Sequence, residues 1–203
     1  MPSPGGDPPV PLTSHVYNRS GHGKQRTRRS IGYNPLTVFE LERISIGAVP
    51  AALDKAERYR LLNEPLMAES ICLDVLEVDP ENQQALVTLI LALSDEFLHS
   101  APSELAKARD LLKRLTDEYE RMYFAGILAE RRATALLEQG GGRRGAVAYN
   151  LYREAMDWYE KARELAPQGV DDAILRWNTC ARLIKKFPHV RPAPDDPAEH
   201  MLE

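Results

Sequence analysis

Between residues 50 and 187, apolar side chains recur three and four positions apart, and no segment alternates apolar with polar residues over a strand's length. That regularity restricts the chain to helix packed on helix. Proline, glycine and asparagine fall mostly between the periodic blocks, where they end one helix and admit the next. The blocks predict a short helix over 35–46, then helices over 50–62, 63–78, 83–98, 103–120, 121–139, 150–165 and 170–187. Pro50 suits a first helical turn, and Asn63 ahead of Pro65 reads as the N-cap of its block. "HSAPSE" at 99–104 reads as a loop. The expected class is all-α, with about seven clear helices over 35–188.

Outside that region the composition changes. Residues 1–34 are rich in Pro, Gly, Ser and basic side chains, too poor in large aliphatics to offset chain entropy, so a disordered arm is expected. Arg19, Lys24, Arg26, Arg28 and Arg29 against Asp7 leave the arm at +4, and with a total of −4 the remainder carries −8. A basic arm therefore joins an acidic body. Residues 189–203, Pro-rich and acidic, are expected to form a loose tail.

Several function classes fall away. The longest apolar run, "ALVTLILAL" at 85–93, is far shorter than the roughly 20 residues a bilayer requires. "MPSPGGDPPVPL" lacks the charged and apolar regions of a secretory signal, so a cytoplasmic location is expected. Cys72 and Cys180 sit singly inside helical patterns and read as small buried hydrophobes. His15, His22, His99, His189 and His200 are scattered without metal-ligand spacing, and no nucleophile motif is present. Asp54 with Arg58, Asp110 with Arg114 and Asp157 with Lys161 stand four apart, as solvated surface pairs do. No enzyme activity, cofactor or metal is expected.

One stretch points the other way. Gly140, Gly142 and Gly145 in "LEQGGGRRGAVAY" spell G-x-G-x-x-G. A dinucleotide turn needs a strand before it, so that the following helix N-terminus faces the pyrophosphate. Here a helix precedes it. Gly140 instead suits a helix C-cap, and the glycines are expected to connect two helices.

Two helices share a finer pattern. Ala68 is followed by Cys72, Val75 and Pro80, and Ala155 by Tyr159, Ala162 and Pro167, each proline twelve after its alanine. "EAMDWYEKARELAP" resembles the second helix of a tetratricopeptide repeat: a small residue, an aromatic four later, a small residue, a closing proline. Ala56 and Tyr59 match the first helix of that unit, although Ala52 and Lys55 replace its usual tryptophan and leucine. The middle unit, around Leu89, Ile90, Ala108, Leu112 and Leu115, is degenerate, with Glu120 where a proline would close it. Pro80 to Pro167 is 87 residues, well beyond two units of about 34.

The resemblance implies a right-handed stack of antiparallel hairpins whose first helices line a concave groove for a protein or peptide partner. Leu53, Glu57, Arg60 and Leu61 would line it from the first unit, and Val87, Leu91 and Asp95 from the second. Tyr123, Ile127, Glu130 and Arg131 would follow, then Ile174, Asn178 and Arg182. Leu53 and Glu57 stand where one subfamily carries its first carboxylate-clamp pair, so such a clamp is not expected. The expected function is a non-enzymatic protein-interaction scaffold. Alternatives are a nucleic-acid-associated factor using Arg26, Arg28 and Arg29, or a regulatory subunit of an enzyme complex.

Overall fold

A computed structural model describes residues 39–140 and 144–193. The helices all belong to the compact unit Leu41–Glu203. They are α1 (Val49–Leu61), α2 (Pro65–Val78), α3 (Gln83–Asp95), α4 (Phe97–Leu112), α5 (Glu118–Glu138), α6 (Arg144–Leu165) and α7 (Asp172–Lys186). A single 3-10 turn, Ile46–Ala48, precedes α1. Among the described residues there is no strand, and no helix is long and apolar enough to cross a membrane.

Each helix packs against the next in the chain, most extensively α5 against α6, while α1 also touches α3 and α3 touches α5. The small residues of the sequence pattern sit at the crossings. Ala56, Ala68, Ala155 and Ala162 are fully buried, as are Cys72 and Cys180. Tyr152 and Tyr159 are the largest side chains wholly inside. Replacing Ala155 with leucine adds volume where none is free, so a loss of about 1–3 kcal/mol is expected in denaturant melts. An unchanged midpoint would refute the close crossing.

The helix boundaries differ from expectation in five places, one of them the start of α6 at Arg144 rather than at 150. No helix forms over 39–45; residues 35–38 lie outside those described. Leu41 is 90% exposed, so a helix there would bury no apolar stripe to offset its nucleation cost. Asn63 ends α1 rather than capping α2. Its φ is +61°, its N–H donates to the Arg60 carbonyl at 3.0 Å, and the Glu64 N–H reaches the Tyr59 carbonyl at 2.9 Å. That pair of bonds is a Schellman ending.

The expected loop at 99–104 is helix. Pro102 cannot donate to the Leu98 carbonyl one turn back, but Gln139 Nε2 takes that acceptor at 3.1 Å, so α4 runs through the proline. The block 103–120 is in turn broken at 113–117, where Asp117 Oδ1 accepts the Glu120 N–H at 3.3 Å and starts α5. Asp117-x-x-Glu120 is the start signal that the apolar periodicity obscured.

The glycine-rich connector lies between two helices. Gly140, with φ of +68°, follows the C-cap Gln139 of α5 and donates to the Leu137 carbonyl at 3.0 Å. Gly142 lies outside the described residues. Gly145 is inside α6, where a Cβ would stand 2.1 Å from the His189 carbonyl oxygen. This glycine admits the chain after α7 against the start of α6, and Val190 is buried in the main core. Within the expected loose tail Val190 is thus packed, while His189 stays exposed; 194–203 lie outside the described residues.

Candidate protein-interaction surface

Along α3, Val87, Leu91 and Asp95 recur every four residues and form one half-buried stripe. Asp95 ends the helix beside α1 and α5. Its Oδ2 accepts Arg60 Nε at 3.0 Å, and its Oδ1 accepts Arg131 Nη1 at 2.5 Å. Arg131 Nη1 also donates to Ser94 Oγ at 2.5 Å and to the Leu91 carbonyl at 3.0 Å. One carboxylate therefore holds two guanidiniums from two other helices. Burial draws the Arg131 guanidinium below its usual value and Asp95 opposes that shift; an arginine so placed keeps its charge at neutral pH.

One residue earlier on α5, Glu130 turns toward α6 and α7. It is 6% exposed, accepts the Tyr159 hydroxyl at 2.6 Å, and pairs with Arg176 Nη1 at 3.1 Å. Burial and the Glu130 charge together push the Tyr159 hydroxyl well above the usual tyrosine value. Gly126, one turn before Glu130, makes room for this ring: a Cβ there would lie 2.5 Å from Tyr159 Cε1. Tyr123 covers the same ring at 5.9 Å between centroids and stacks on Tyr119 at 5.8 Å. Asp95 thus links α1, α3 and α5, and Glu130 links α5 to α7.

The expected groove residues are divided by this arrangement. Arg60, Leu91, Tyr123, Glu130 and Arg131 come together, although the charged ones are bonded to neighbouring helices rather than left open. Leu53 is 4% exposed and Ile127 1%, so both belong to the core and cannot touch a partner. Glu57 is exposed on α1. Asn178 lines a separate recess of about 180 Å³ against Glu160 and Arg163 of α6, and Arg182 is exposed.

On α7 the side chain that pairs with an acid of α5 is Arg176, which the repeat register did not select. Ala173 and Cys180, seven residues apart, are both buried and define the inward face on which Arg176 lies. That spacing was visible in the sequence. What was not visible was an acid opposite it, since Glu130 comes from 46 residues earlier.

The surface also holds a recess of about 310 Å³ bordered by Asp95, Glu130, Arg131, Thr134 and Glu138. Its charges are of both signs with acids in excess: Asp95 pairs with Arg131 across the recess and Glu130 with Arg176 of α7, which suits fixing helices side by side. Among the described residues no three His, Cys, Asp or Glu side chains gather as a metal site would require. The chain matches no family model, no curated protein and no solved structure.

Proposed function

We propose that this chain is a protein-interaction scaffold: a tetratricopeptide-like stack of antiparallel helical hairpins that binds a peptide or helix of a partner and carries no chemistry of its own. The observation that carries it is the Asp95 bridge, which sets the first helices of three successive hairpins side by side. Glu130 with Arg176 extends the row to α7. Contact of α1 with α3 and of α3 with α5 supports the same stacking. A row of this kind leaves a continuous half-buried face, the geometry from which such repeats bind peptides.

Arg60, Arg131 and Arg176 against Asp95 and Glu130 leave the row at +1 by count, but each of these charges is bonded within the chain, so a purely anionic ligand finds little free charge there. Orientation of a partner falls to exposed Glu57 and to the half-buried Leu91 and Tyr123. A role for Arg26, Arg28 and Arg29 on nucleic acid falls on residues outside those described.

The test is selection of peptides from a display library on the full chain, followed by binding to variants. Glu57→Lys is expected to weaken selected peptides several-fold, while Asp157→Lys, exposed on α6, leaves them unchanged. Equal binding by both variants, with unaltered melting, would move the site off the odd-numbered helices and sink the proposal.

A further inference from the structure

On the other side of α5 lies a trough that the interaction row does not use. α4 and α6 flank α5 there without packing extensively on one another. Met122 and Leu128 form the floor, Leu112 one wall, and Leu151 and Trp158 the other, around about 400 Å³. A second recess of about 500 Å³ shares Leu105, Arg109 and Arg132 with the first and continues to Gln139. From Arg121 to the C-cap Gln139 the trough follows α5 for about 27 Å.

Its rim is basic. Arg109, Lys113, Arg121 and Arg132 stand against one acid, Glu154. Lys113 pairs with Asp110, and Arg121 donates to the Leu115 and Thr116 carbonyls. Arg109 and Arg132, at the centre of the trough, have no ion-pair or hydrogen-bond partner among the described residues. An apolar channel with two uncompensated guanidiniums at its middle fits an acidic amphipathic helix.

The chain presents such a helix itself. α2 contains Glu69, Asp74 and Glu77 and no basic residue. Leu66, Met67 and Leu73 on it are 64%, 48% and 52% exposed, and Leu66, Ser70, Leu73 and Glu77 form one outward stripe. Glu77 is tied only to exposed Arg43, a pair that solvent exchanges readily. Its 14 residues span about 21 Å, which fits within the trough.

We propose that α2 of one copy docks in the α4–α5–α6 trough of the next, joining chains head to tail. Leu66 and Leu73 enter between Leu112 and Trp158, and Asp74 approaches Arg109 and Arg132. The two surfaces are different patches of one chain, so the contact is heterologous and every unpaired end remains able to add another copy. A contact made by one helix face is expected to be small among protein interfaces, so association is expected to be weak and concentration-dependent.

Sedimentation velocity on the full chain, from micromolar to millimolar, tests this. The weight-average mass is expected to rise above 22.8 kDa with concentration and to fall back as salt is added. Leu73→Lys removes the α2 patch and Arg132→Glu the trough, and each variant alone is expected to remain monomeric. Mixed together, they retain one good α2 and one good trough between them, and form a capped pair of twice 22.8 kDa that grows no further. Should Arg132→Glu lose helicity, exposed Arg109→Glu replaces it. A native chain still monomeric at millimolar concentration overturns the proposal. So does association that survives either substitution, or two monomeric variants that fail to pair on mixing.

Discussion

Replacing Glu130 with alanine is expected to lower stability by about 3 kcal/mol, the low end of the range for breaking a buried pair. The change leaves the Tyr159 hydroxyl buried without its acceptor and removes the charge opposite Arg176. Because the Arg176 side chain is 35% exposed, water recovers part of the loss on that partner. Glu130→Gln keeps an acceptor for Tyr159 and should cost less. Against a typical total of 5–15 kcal/mol, the alanine variant would shift the urea midpoint markedly. Coincident curves for the wild type and both variants would show that this network does not hold α5, α6 and α7 together.

Alkaline unfolding is the second large expected effect. Burial pushes the thiols of Cys72 and Cys180 up to about 12. In the unfolded chain they ionise near their ordinary value of 9.0, so above that pH the unfolded state binds fewer protons than the folded one. Stability is therefore intact below pH 9 and falls as pH rises toward 12. At 1.36 kcal/mol per unit for each thiol, the two together remove about 5 kcal/mol by pH 11. The raised hydroxyls of Tyr152 and Tyr159 add to the loss above pH 10. Substituting alanine at both cysteines should weaken the protein at pH 7 but flatten its decline between pH 9 and 11. A wild-type melt that does not change over that window would refute the burial-driven shift.

Arg60, Asp95 and Arg131 show how far a sequence register reaches. All three were expected in one groove from the repeat resemblance, and they meet. Their use for one another was not legible, because the bonds cross 35 and 36 residues. The α4–α6 trough was missed for a similar reason. Met122, Leu128 and Trp158 obey the same periodicity as core residues, and periodicity cannot say whether a neighbouring helix arrives to cover them.

The chain's own order of residues determined the helical class, the buried alanines at 56, 68, 155 and 162, the inert cysteines, and the left-handed glycine after α5. These depend on side chains a turn or two apart, and on backbone preferences that act locally. Tertiary structure alone decided that α4 runs through Pro102, that Gly145 must yield to the His189 carbonyl, which charges of α1, α3, α5 and α7 pair, and which side of α5 stays open. Each of those is settled by groups far apart in sequence. Their encounter distances follow from how whole helices pack, and local propensity does not encode them.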